Sequence, residues 1–235
     1  MVIMHRDDLH RGGFAGLRET RMVMHPGVWG AHREEHTHPG LGRFVYLADA
    51  RFNPHGETHL HPHREIDVIS LMVEGRIMHE GSLEHGEELR PFDVQVQRAG
   101  GEGFAHNEVN PDATLNRMIQ MWVVPERPGE PASYRKYHVP DGQRLRIYGG
   151  PGGQQETFAA RTVVEVARVS AGHSIGHDSD VLSYVVSGSG RAHGVEVREG
   201  HLLSDESLEF TARENCVLIL VSERPGPGAE SESAT

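Results

Sequence analysis

Apolar residues along this chain come in short runs, and each run stops at a turn-forming residue such as Gly, Pro, Asp or Asn. Gly42–Ala50, Val68–Val73, Val94–Gln97, Leu115–Val124, Val163–Val169, Val181–Val186, Val195–Val197 and Cys216–Val221 are rich in β-branched or aromatic side chains. That texture predicts strands divided by turns. No stretch shows the spacing of a long amphipathic helix, so the fold class expected is all-β. Gly27–Gly42, rich in glycine and histidine, reads as a loop. The end of the chain, RPGPGAESESAT from Arg224, lacks large apolar residues, and residues 225–235 are expected to be a disordered tail.

The pattern occurs twice. A shift of 113 residues lays Asp67-Val68-Ile69-Ser70 on Asp180-Val181-Leu182-Ser183, Val73 on Val186, Gly75 on Gly188 and Gly81 on Gly194. Two copies of one β unit account for the length. The Pro-rich stretch Pro125–Pro140 (PERPGEPASYRKYHVP) is read as a linker. The domains expected are therefore 1–125 and 126–224, each one copy of the β unit.

Composition narrows the function. Acidic residues number 34 and basic residues 23, a net charge of −11, which disfavours binding to nucleic acid. No run approaches the roughly 18 apolar residues of a membrane span, and Met1–Gly13 holds no apolar signal core. With Cys216 the single cysteine, no internal disulfide forms, and a cytoplasmic location is expected. Neither a phosphate-binding glycine loop nor a Gly-x-Ser-x-Gly elbow is present, which argues against nucleotide hydrolysis and serine-hydrolase chemistry.

Histidine, at 18 residues, carries the candidate chemistry. On an extended strand, His61, His63, Glu65 and Asp67 share one face. Further on, His106 and Glu108 share a face in the same way, just after Gly100, Gly101 and Gly103. If the two stretches meet inside a barrel, three imidazoles and one carboxylate converge. Such a site suits Fe(II), Ni(II), Cu(II), Mn(II) or Co(II), with positions left open. The 113-residue shift puts Ser174 and Gly176 where His61 and His63 stand, so the second barrel is expected to lack the ligands. The competing reading is a rim of exposed histidines; His36-Thr37-His38 and His59-Leu60-His61 are further pairs of the same kind.

HPHREIDVISLMVEGRIMHE (His61–Glu80), RPFDVQVQRAG (Arg90–Gly100) and RAGGEGFAHNEVNPD (Arg98–Asp112), with the early Arg11-Gly12-Gly13, resemble the pirin family of bicupin proteins. The similarity is strong over about residues 42–125 and general beyond them. It implies two jelly-roll barrels, with His61, His63, His106 and Glu108 as metal ligands. Two features depart from the family pattern. Asp67 stands where the family has Glu, and Pro26–Gly40 carries extra histidines.

The resemblance also implies an activity like quercetin 2,3-dioxygenase, with a flavonol or another phenolic or enolisable small molecule and O2 as substrates. The metal would be one divalent transition ion, Fe(II) foremost, with Ni, Cu, Mn, Co or Zn as alternatives. Glu108 would take the substrate's hydroxyl proton as catalytic base. Two other functions share the same ligands: a non-catalytic metal-binding regulator that contacts a protein, and a non-oxidative isomerase, cyclase or lyase. Glu65 and Asp67 are candidates to orient the imidazoles or to form a salt bridge or solvated rim, His59 is expected at the surface, and Met72, Met78, Met118, Met121 and Trp122 are expected in the core. Cys216 reads as a buried small hydrophobe.

Overall fold

The computed structural model describes residues 1–225, so the expected tail lies, apart from Pro225, outside the described residues. The first strands are β1 (Val2–His5), β2 (Arg11–Phe14), β3 (Leu17–Met24) and β4 (Phe44–Phe52). Then come β5 (His61–His63), β6 (Asp67–Glu74), β7 (Ile77–Gly81), β8 (Glu87–Leu89), β9 (Asp93–Arg98), β10 (Phe104–Val109), β11 (Arg117–Val123) and β12 (Ser133–His138). The second half holds β13 (Arg144–Gly150), β14 (Ala160–Val169), β15 (Ser174–His177), β16 (Val181–Ser187), β17 (Ser189–Ala192), β18 (Val195–Arg198), β19 (His201–Asp205), β20 (Leu208–Ala212) and β21 (Cys216–Glu223). One α-helical turn, α1 (Pro26–Trp29), begins just before the stretch read as a loop and runs into it. No helix among the described residues is long and apolar enough to cross a membrane.

The duplication is visible in the topology. One sheet runs β12-β9-β6-β11-β4-β3-β2, and another runs β1-β19-β16-β21-β14-β13. Each half adds a four-stranded sheet in the same order, β5-β10-β7-β8 and β15-β20-β17-β18. The two halves exchange edge strands. β1 pairs with β19, and β12 pairs with β9. Sheet membership thus crosses residue 125 in both directions, and a strand occupies part of the stretch read as linker.

The two large sheets pack face to face. Leu47, Ile69, Leu71, Val94, Val96, Ile119 and Met121 from one meet Tyr148, Val164, Val166, Leu182, Tyr184, Ile219 and Val221 from the other in the main core. Alternate residues of the same strands point into the barrels, so Val68, Ser70 and Met72 are buried on the opposite face. Both faces of β6 are covered, which is why DVISLMVE reads as a continuous apolar run and not as an alternation.

Charges cross this seam. Asp49 Oδ1 and Oδ2 accept from Arg117 Nε and Nη2 at 2.9 and 2.6 Å, and Oδ2 also accepts from Arg6 Nη1 and the Tyr184 hydroxyl, both at 2.6 Å. Arg117 Nη1 lies 3.1 Å from Glu199 Oε1. The first barrel, the N-terminal segment and the second barrel are thereby tied at one buried carboxylate.

Asp67 makes a second tie. It is fully buried, and its Oδ2 accepts from the Tyr148 hydroxyl at 2.7 Å. Burial pushes the Asp67 carboxyl up to about 6, against the opposing pull of the Tyr148 hydrogen bond and the Arg98 charge. The unfolded group titrates near 4. Below about pH 4 both states hold the proton and folding carries no penalty. Between about pH 4 and 6 the folded state keeps a proton that the unfolded state has lost, so stability falls as pH rises, by about 2–3 kcal/mol in all, and levels off above. Urea unfolding of wild type and Asp67→Asn at pH 4.5 and 7.5 checks this: part of the fall has already occurred at pH 4.5, and between the two pH values the fall should be smaller in the variant by about 2 kcal/mol. An identical fall in both proteins would contradict it.

Candidate metal centre

The register between β5 and β10 sets the site. His106 lies opposite His61, and Phe104 opposite His63. The strands sit side by side on the small sheet of the first barrel, so all three imidazoles meet. His106 Nε2 is 3.1 Å from His61 Nε2 and 3.2 Å from His63 Nε2. These three are the only such group of metal-ligating side chains among the described residues.

His106 is fully buried, while His61 and His63 are half-buried at the mouth. Burial, and then the neighbouring imidazoles, hold His63 down to about 4 and push His106 lower still. Both rings are therefore neutral at physiological pH and keep a lone pair. The His61 ring is oriented by the backbone: its Nδ1–H donates to the His59 carbonyl at 2.8 Å, which turns Nε2 toward His106. His59 itself is 71% exposed, as expected, and adopts φ +61.

Glu108 is on the His106 face of β10 but stands outside the three-nitrogen cluster. Its Oε1 accepts from Ser70 Oγ at 2.9 Å and Gln95 Nε2 at 2.8 Å, and Oε2 from Gln120 Nε2 at 3.4 Å. Complete burial pushes the carboxyl up to about 7, with Ser70 and Gln95 pulling the other way. A carboxyl held there exchanges a proton near neutral pH.

Two expected residues are elsewhere. Strand geometry stops at His63, and Glu65 takes φ +52, which ends the alternation. Glu65 Oε1 accepts from the Gly129 N–H at 2.9 Å, and Asp67 turns to Tyr148. Neither carboxylate orients an imidazole.

Beside the histidines opens a cavity of about 340 Å³. Its aromatic wall is Trp29, Tyr46 and Trp122, with Trp29 stacked on Trp122 at 5.5 Å and on Tyr46 at 5.3 Å. Trp122 is thus half-buried in a pocket wall, not part of a closed core. Trp29 arrives on α1, whose first turn is capped by His25 Nδ1 accepting from the Gly27 N–H at 3.0 Å. The Tyr46 hydroxyl donates to Glu19 Oε2 at 2.8 Å, and Arg21 holds Glu19 Oε1 at 2.9 and 2.6 Å. A larger cavity, about 560 Å³, opens at the seam by Arg6, Arg18, Asp49 and Arg51, and carries no metal-ligating cluster.

In the second barrel Ser174 lies opposite Thr211, the positions matching His61 and His106. Their hydroxyls hydrogen-bond at 2.8 Å. Gly176 takes the place of His63 and lies opposite Glu209.

The chain matches the family model described as Pirin over residues 33–123. A Pseudomonas aeruginosa protein named "Putative quercetin 2,3-dioxygenase" is 33% identical over 174 residues, 68% of this chain and 75% of that protein. A Caulobacter vibrioides "Pirin-like protein" is 28% identical over 174 residues, with the same shares of both chains. Among solved structures, the bacterial pirin YhhW of Escherichia coli, crystallised with nickel(II), superposes with a TM-score of 0.81 at 16% identity, covering 96% of this chain and 99% of its own. The fold is the two-domain cupin fold, and the chain belongs to the pirin family.

Proposed function

We propose that this pirin is a metal-dependent dioxygenase of the quercetinase type, acting on a flavonol or a similar enolisable phenol. One observation carries the reading: three imidazoles converge at the mouth of an aromatic cavity. Their spacing fits a shared ion. Two nitrogens at right angles, each about 2.1 Å from one ion, stand about 3.0 Å apart, close to the 3.1 and 3.2 Å seen. Without an ion, His106 Nε2 faces two other ring nitrogens and has one hydrogen at most to share. His61, His63 and His106 would hold the ion, and Glu108 would complete the set. Fe(II) is the first candidate; nickel, which the YhhW structure contains, is the next.

When bound, the metal supplies positive charge that acidifies a phenolic or enolic hydroxyl. The protein does the rest. Trp29, Tyr46 and Trp122 offer flat apolar surface to a planar ring system. Glu108 Oε2, which has a single long contact from Gln120, takes the hydroxyl proton. Ser70 and Gln95 fix the carboxyl through its other oxygen. The relatives' names point to the same activity.

Oxygen consumption with a flavonol tests the proposal. Metal-loaded wild type should take up one O2 per flavonol consumed. Glu108→Gln should keep most of its metal and lose about 10²–10⁴-fold in kcat, the usual worth of a positioned base. Flavonol turnover without O2 uptake would point to non-oxidative chemistry, and equal kcat in the variant would remove Glu108 as base.

A further inference from the structure

β9 reads Val94-Gln95-Val96-Gln97, and the alternation sends the two valines into the seam between the barrels and the two glutamines inward. Each glutamine meets one residue of the His106-Asn107-Glu108 segment: Gln95 donates to Glu108, and Gln97 Nε2 stands 3.2 Å from His106 Nδ1. Gln97 is fully buried, and its Oε1 has no partner. A buried carbonyl with nothing to accept is costly and calls for an explanation.

The polar atom the carboxamide does meet is His106 Nδ1. A neutral ring carries one hydrogen. If Gln97 donates to Nδ1, the ring hydrogen sits on Nε2, aimed at His61 and His63, where a cation needs a lone pair. If the carboxamide turns by 180° about its last torsion, Oε1 accepts from Nδ1–H and Nε2 is bare. The two ends of the amide are nearly the same shape, so the turn displaces nothing else. Each setting pairs the carboxamide end beside Nδ1 and leaves the far end, which has no partner now, without one. The metal-free protein thus has little reason to prefer one setting, and a cation on Nε2 decides between them.

We propose that Gln97 is the positioning residue for His106, and that its carboxamide presents oxygen to Nδ1–H when a metal is bound. This rests on the metal-site reading above. His61 has a fixed backbone partner in the His59 carbonyl, whereas His106 has a side chain that reverses. The arrangement belongs to the hydrogen-bonding partners that set the tautomer of a ligating histidine.

Zinc is a diamagnetic probe for the test. Zinc affinity is measured by chelator competition, and the histidine tautomers are read from long-range ¹H–¹⁵N spectra of histidine-labelled protein. Zinc-loaded wild type should show His106 protonated at Nδ1. Gln97→Leu, which removes the acceptor, should lose about 10–100-fold in affinity. Gln97→Glu, which keeps an acceptor, should return to within a few-fold of wild type. His106 found protonated at Nε2 in the zinc-loaded wild type overturns the assignment without any variant. So does unchanged affinity in a folded Gln97→Leu protein. Wild type that takes no zinc, iron or nickel at all would instead overturn the metal site itself.

Discussion

His106→Ala is expected to bring bound metal from about one ion per chain to near none, while the barrel stays folded. His106 is the middle of the cluster, since its Nε2 is the atom both other imidazoles approach. Without it, His61 and His63 form a half-exposed pair, a much poorer site than three nitrogens around one ion. The fold does not depend on the ring. The first barrel has its own apolar groups, including Leu17, Phe52, Met72, Ile77, Leu89 and Met118, and shares the large core at the seam. The cost to stability should be that of a modest cavity, about 1–2 kcal/mol. Elemental analysis after loading with Fe(II) or Ni(II), beside thermal unfolding of the metal-free proteins, measures both quantities. Stoichiometric metal in the variant would show that the ion sits elsewhere.

The largest loss of stability is expected from Arg117→Ala. Arg117 is fully buried and grips both oxygens of Asp49, which is 2% exposed. Removing the guanidinium leaves Asp49 to Arg6 and the Tyr184 hydroxyl, exposes Glu199 to an emptied space, and opens a cavity between the halves. Breaking a buried pair at one partner costs about 3–5 kcal/mol. For a chain of this size that lowers Tm by about 10 °C. The double replacement Arg117→Met with Asp49→Leu should recover part of the loss, because it removes the stranded charge as well as its partner. A loss below about 1 kcal/mol in the single variant would show that the network holds little of the seam.

The site was legible where the chemistry is local. Two histidines two apart on a strand, and a His-x-Glu pair downstream, give their own spacing, and the register of β5 on β10 brings His61, His63 and His106 together while Glu108 stands outside the cluster. The same shift put Ser174 and Gly176 at the positions of His61 and His63, and they lie on β15, the strand that matches β5. What sequence missed is non-local or looks ordinary in one dimension. β2 is a four-residue edge strand with two glycines, and β12 is mostly polar; neither carries an apolar run to announce it. The exchange of β1 and β12 between halves depends on pairings with strands about 200 and 40 residues away. Trp29 sits in a glycine- and histidine-rich stretch, and only the three-dimensional stack on Trp122 makes it a pocket wall. A buried glutamine reads like a surface one, yet Val-Gln-Val-Gln in a strand covered on both faces is a signal: inward polar residues there need partners, and the ligand segment provides them. Glu65 was misplaced because alternation was carried past the end of a three-residue strand.

Diffraction from crystals of metal-loaded protein, recorded at the absorption edge of the metal, tests the central claim most directly. One anomalous peak should appear about 2.0–2.3 Å from Nε2 of His61, His63 and His106, with a Glu108 carboxylate oxygen turned toward it. A peak placed elsewhere, or no peak after loading, would contradict the claim.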